Sequence, residues 1–235
     1  MQLTLRDAAT YLGVDEPTVR RWVRERALPV HRFDEKFYLN AVELWEWATA
    51  QRIPVSRSLL DQARQDDEDV ASLSELLRAG GVNYDVGGSD KGEVLREVVA
   101  RLPLPPEIDR EFLSTVLEAR EKLGSTGIGD GIAIPHVRNP ILLHVPRPFV
   151  TACLLRNPIE FDATDHKPVH TVFNVVSPSV PSHLRILAQL AFALRDDTLR
   201  EMLRDRAPVD ELLARLEVVE KRTTSWYRAV ADANP

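Results

Sequence analysis

His136 closes a run that opens Gly124-Ser125-Thr126-Gly127-Ile128-Gly129-Asp130-Gly131 and turns apolar at Ile132, Ala133 and Ile134 before Pro135. From Gly124 to Asp130, every residue but Ile128 is Gly, Ser, Thr or Asp, so a polar, glycine-rich loop feeds a short strand that ends on an imidazole. Glycines lack a Cβ and let backbone N–H groups converge on an anion. The Ser125 and Thr126 hydroxyls add donors, and the imidazole supplies a nucleophilic nitrogen. That combination is suited to phosphohistidine chemistry. Gly127, Gly129 and Gly131 imitate a dinucleotide-binding loop, but they precede a strand where that motif follows one, which excludes a Rossmann reading.

The elements that must hold this run are helices and short apolar strands in alternation. Helical spacing of apolar residues predicts helices over 92–102, 108–122, 183–194 and 198–203, and continuous β-prone apolar stretches predict buried strands over 149–155 and 169–176. An α/β layer fold with a mixed sheet flanked by helices follows. Ahead of it, Thr4 caps a short helix with Leu5, Ala8, Ala9 and Leu12 on one face. The turn at Gly13 leads to Asp15 as N-cap and Pro17 in the first turn of a second helix. Two helices joined by a short Gly-containing turn are a helix-turn-helix signature. A small hairpin turning at Asp34-Glu35-Lys36 and a third helix over 41–50 complete this part.

The run Arg120 to His136 resembles the signature of the bacterial phosphotransferase enzyme IIA domains of type 2, the mannitol, fructose and nitrogen-regulatory kind. The similarity extends over residues 71–220 and includes Asp162 to Phe173 and Ser177 to Ala188. The resemblance implies that His136 accepts a phosphoryl group from a histidine phosphocarrier protein. It also implies that the Arg120 guanidinium neighbours that group and that His183 lies beside the acceptor imidazole. No cofactor or metal is expected. The departure is Val137, where the family usually has a small residue; a β-branched side chain there is expected to narrow the partner's approach or hold the strand straight. His144, His166 and His170 carry no such support and are read as loop or strand-surface residues.

The first part is similar to the excisionase-like, winged helix-turn-helix proteins related to mercury-resistance regulators. The likeness rests on Leu12 to Val14, Thr18 to Trp22, Leu28-Pro29, residues 31–40 and Trp45 or Trp47. It implies DNA binding, with Thr18, Arg20, Arg21 and Arg24 toward a major groove and Val19 and Trp22 in the core. The organisation expected is a helix-turn-helix domain over 1–52, a linker over 53–70, the IIA domain over 71–222 and a tail over 223–235.

Charge tempers the DNA reading. The chain of 235 residues has a formal charge of −6, and residues 1–52 hold eight Lys/Arg against eight Asp/Glu. Asp34 and Glu35 at the wing tip repel a phosphate backbone, so a homodimer or a helper protein is expected to support binding. Cys153 is the single cysteine, which excludes an intrachain disulfide and a thiolate cluster and fits a cytoplasmic protein. No apolar stretch approaches the roughly 20 residues of a membrane span. The reading that follows is a phosphorylation-responsive regulator; the alternatives are a sugar-transport IIA phosphocarrier whose N-terminal domain only docks protein and a regulator whose IIA domain binds the phosphocarrier without turnover.

Overall fold

A computed structural model describes residues 2–33, 36–51, 53, 71–137 and 145–232. The expected wing tip at Asp34 and Glu35, most of the linker and His144 lie outside the described residues.

In the N-terminal domain, α1 (Leu5–Leu12) begins with a reciprocal cap: Asp7 N–H donates to Thr4 Oγ1 at 3.1 Å and Thr4 N–H donates to the Asp7 carboxylate at 2.8 Å. Gly13 ends it at φ +64, and Asp15 caps α2 (Glu16–Glu25) by accepting from Thr18 N–H at 3.0 Å. The hairpin forms from β2 (His31–Phe33) and β3 (Lys36–Asn40), and α3 (Ala41–Ala50) follows. The sequence reading missed β1 (Gln2–Thr4), which pairs antiparallel with β3 and gives the strand order β1-β3-β2. Three residues are too few to show an alternation, and only the partner strand defines them.

The second domain opens with α4 (Leu73–Gly80) and β4 (Val82–Val86), then α5 (Lys91–Arg101) and α6 (Arg110–Lys122). The strands β5 (Gly127–Gly129), β6 (Ile132–Ala133), β7 (Phe149–Ile159) and β8 (Val169–Val176) come next. Three helices end it: α7 (Val180–Ala193), α8 (Asp197–Arg204) and α9 (Val209–Asp232), the last passing through residue 222. The sheet has the order β4-β7-β8-β6-β5. β4 runs parallel to β7 and β6 to β8, while the β7/β8 and β5/β6 pairs are antiparallel. A mixed sheet flanked by helices is what the sequence predicted.

Alternation along the strands separates two cores. Ala133, Cys153, Leu155 and Val172 meet Val94, Val98, Leu113 and Leu117 of α5 and α6 on one face. On the other, Ile132, Ala152, Leu154 and Phe173 meet Leu76 of α4, Leu184 and Leu187 of α7, and Leu212 and Leu216 of α9. This second core continues without a break into the N-terminal domain through Leu3, Leu12, Val19, Leu44 and Trp45. The contact between the domains includes α3 lying against α7.

Candidate functional site

The glycine-rich run folds as a tight hairpin. β5 and β6 are joined through Asp130 and Gly131, at φ +52 and +74, and positive φ at both central residues is what the favoured two-residue hairpin turn requires. The hairpin changes the expected division of labour. Thr126 N–H donates to both Glu121 carboxylate oxygens, at 3.1 and 3.2 Å, Gly127 N–H to Ser125 Oγ at 3.0 Å and Asp130 N–H to Asp165 Oδ2 at 2.8 Å. These amides therefore bind the protein itself instead of converging on an anion. The two hydroxyls expected to contact phosphate are spent in the same way: Thr126 Oγ1 donates to Glu121 at 2.7 Å, and Ser125 Oγ donates to the Phe161 carbonyl. A hydroxyl has one proton, so in this arrangement neither has a donor left for a phosphoryl oxygen. Ser125 and Thr126 shape the run.

What the run delivers is the orientation of His136. Ile134 N–H donates to the Thr126 carbonyl at 3.0 Å, and His136 Nδ1 sits 2.7 Å from the Ile134 carbonyl. A carbonyl only accepts, so Nδ1 carries the proton and Nε2 carries the lone pair. Asn174, buried in β8, donates from Nδ2 to the Pro135 carbonyl at 2.8 Å and so fixes the peptide just before the histidine. Glu121 and Asn174 were both missed by sequence reasoning. Glu121 hid inside a charged Arg-Glu-Lys run that reads as solvated, and Asn174 inside an apolar strand.

His183 joins the site from the first turn of α7. Its ring lies 5.1 Å from that of His136, centroid to centroid, and Ser177 Oγ lies 3.1 Å from its Nδ1. The two imidazoles are 3 % and 0 % exposed. Ser179 caps α7, and the start of a helix presents the positive end of its dipole, which favours a negative group on His136. Arg120, in the last turn of α6, is buried and donates from Nη1 to the Gly124 carbonyl at 2.8 Å, so it clasps the entrance of the run. Val137 is 3 % exposed and belongs to the core around α5 and α6. Its side chain packs into the interior of the domain.

His170 and His166 lie apart from this pair. The His170 ring packs against Gly131, where a Cβ would fall 2.3 Å from the ring, and burial holds its pKa below the usual value. His166 occupies a turn at φ +57. Among the described residues no group of three or more His, Cys, Asp and Glu side chains is placed to hold a metal ion. Among the described residues no helix is long and apolar enough to cross a membrane.

In the N-terminal domain, Val19 and Trp22 of α2 are buried while Arg20, Arg21 and Arg24 are exposed and Thr18 is half-buried. Arg20 pairs with Glu16 at 2.7 Å, leaving Arg21 and Arg24 as the outward cations of this helix.

Comparison with known proteins agrees with both halves of this architecture. Residues 75–218 match the family described as phosphoenolpyruvate-dependent sugar phosphotransferase system, EIIA 2, and residues 3–52 match a helix-turn-helix domain. The nitrogen regulatory protein of Pseudomonas aeruginosa is 37 % identical over 149 residues, spanning 62 % of this chain and 94 % of that protein. Its Escherichia coli counterpart is 40 % identical over 124 residues, 51 % of this chain and 72 % of that protein. Among solved structures, the nitrogen regulatory protein IIA-Ntr from Neisseria meningitidis superposes with a TM-score of 0.53 at 30 % identity, covering 61 % of this chain and 97 % of that one.

Proposed function

Because the chain belongs to the phosphotransferase system EIIA 2 family and carries a helix-turn-helix domain ahead of it, we propose that it is a phosphorylation-responsive regulator acting in the cytoplasm. It takes a phosphoryl group onto His136 from a histidine phosphocarrier and couples that event to DNA binding. The relatives named as nitrogen regulatory proteins, together with the helix-turn-helix match, favour regulation over sugar transport.

The observation that carries the reading is the 2.7 Å contact between His136 Nδ1 and the Ile134 carbonyl, which leaves Nε2 unprotonated. The Nε2 lone pair attacks the phosphorus of the donor phosphohistidine in line. A new N–P bond forms as the donor's N–P bond breaks, and its electron pair stays on the donor imidazole. The positive charge that accrues on the His136 ring is met by the Ile134 carbonyl through Nδ1–H. The phosphoryl oxygens gain the dipole of α7 and a hydrogen bond from His183. Ser177 Oγ lies 3.1 Å from His183 Nδ1 and holds that ring in place, and the tautomer with the proton on Nε2 is the one that donates to the phosphoryl group. Both partners are phosphohistidines, so transfer is close to thermoneutral and reversible.

Incubation with phosphoenolpyruvate, the general phosphotransferase enzyme and a phosphocarrier should place one acid-labile, base-stable phosphoryl group on the chain, and His136→Ala should abolish it. Label that survives in His136→Ala overturns the assignment. For the DNA half, affinity of the full chain for selected duplexes should fall with salt by about 0.9 log units per neutralised phosphate, and Arg21→Ala should weaken it. No enrichment from a random duplex pool at low salt, with or without the phosphoryl group, assigns the N-terminal domain to protein docking instead.

A further inference from the structure

The helix α7 has no exposed residue from Val180 to Leu194. A helix in the outer layer of a domain ordinarily keeps one polar face in water. Leu190 and Leu194 line the inner side toward the sheet, together with Val150 and Phe173. About half a turn round the helix, Arg185 is only 6 % exposed, and Gln189 and Phe192 are half-buried. The N-terminal domain contributes to this cover, because α3 lies against α7. One helix is therefore held between the catalytic sheet and the helix-turn-helix domain, and the same helix carries His183 in its first turn.

From α3 the contact continues to the arginine-bearing helix. Trp47 Nε1 donates to the Arg26 carbonyl at the end of α2 at 2.8 Å, and the Trp47 and Trp22 rings lie 5.4 Å apart. The Arg26 guanidinium lies 5.7 Å from the centroid of the Trp22 ring.

At the other end the site is closed. With the two imidazoles 3 % and 0 % exposed and 5.1 Å apart, a phosphoryl group with its three oxygens on His136 comes up against the His183 ring. The dipole of α7 attracts the group while the His183 ring crowds it, so the first turn of that helix feels a different force in the two states. This difference between the two chemical states is what any coupling requires. Close-packed elements pass such shifts on because their interfaces have discrete arrangements.

We propose that α7 is the reading surface for phosphorylation: a phosphoryl group on His136 re-seats its first turn, and α3, packed against it, carries the change through Trp47 to α2. The proposal rests on His136 being the acceptor.

Hydrogen exchange on the full chain, phosphorylated through a phosphocarrier and compared with the unmodified chain, tests it. Exchange in residues 41–50 and 16–26 should change by about 5–150-fold, the range of ordinary coupling free energies, and His136→Ala should show no change. Trp47→Phe keeps a ring but loses the donor to Arg26, so the change should persist in 41–50 and shrink in 16–26. A phosphorylated chain whose exchange is unaltered in both segments overturns the proposal while leaving the acceptor intact. An undiminished response of 16–26 in Trp47→Phe removes Trp47 from it. Absence of label on His136 overturns the underlying reading instead.

Discussion

Glu121→Gln tests whether the buried carboxylate at the end of α6 aims the acceptor. Glu121 is 6 % exposed, accepts Thr126 N–H at 3.1 and 3.2 Å and Thr126 O–H at 2.7 Å, and has Lys91 Nζ at 3.8 Å. A glutamine of the same shape keeps one acceptor oxygen and turns an NH₂ toward the other donor. One charge-assisted bond, worth about 1.5–3 kcal/mol, is lost and a buried donor is left unpaired. The expected destabilisation is about 2–4 kcal/mol, a large share of a total near 5–15 kcal/mol but short of unfolding the chain. With a urea slope of about 3 kcal/mol per molar, the midpoint should fall by about 1 M. The displacement does not stop at Thr126, because its carbonyl holds Ile134 N–H and the Ile134 carbonyl holds His136 Nδ1. Misplacement of a nucleophile by about 1 Å costs up to 10²-fold, so single-turnover phosphoryl transfer should slow about 10–100-fold. The KM for the phosphocarrier should stay within about twofold, since the carboxylate is buried away from a docking partner. A normal midpoint and a normal rate refute the clamp. A lowered midpoint with a normal rate would show that Glu121 supports the hairpin without aiming His136.

Asn174→Ala strands the buried Pro135 carbonyl, so urea denaturation should show a loss of about 1–3 kcal/mol, and phosphoryl transfer should slow without a change in KM. Cys153 is 0 % exposed with its thiol pushed up to about 12 by burial, so a thiol reagent at pH 8 should titrate nothing in the folded chain and one equivalent after denaturation. Burial lowers the His170 pKa from its ordinary value of 6.5, so the unfolded chain binds the proton more readily. The resulting stability is complete above about pH 6.5 and declines as the pH falls toward the folded value; His170→Gln should flatten that decline in urea midpoints measured from pH 5 to 8.

The sequence was most legible where a local rule acts alone. Thr4 and Asp15 cap as their residue types require, and the strands 149–155 and 169–176 announce themselves by uninterrupted apolar β-prone residues, although β7 runs on to Ile159. It was least legible where a residue's role depends on a distant neighbour. The glycines around Gly127 look the same whether they cradle an anion or close a hairpin; what decides is that Asp165 and Glu121, remote in different ways, take the amides. The α9 helix was missed because its apolar residues, among them Leu212 and Leu216, are spaced among charges and make sense only against α4, α7 and α8. Burial of Val137 is likewise set by its neighbours, since sequence gives no sign of which way a side chain faces after a strand ends.

The unbroken core that joins the N-terminal residues to α7 bears on how such a chain is assembled and altered. Two domains linked by a free tether can be exchanged like cartridges, since each buries its own apolar surface. Here the outer face of α7, with Phe192 and Gln189 half-buried, depends on what lies on it for its cover. A chimaera that receives a foreign helix-turn-helix domain would therefore expose part of that face unless α7 were recut to fit. A sequence change on α3 and one on α7 are expected to compensate each other across the seam, since the two helices pack together.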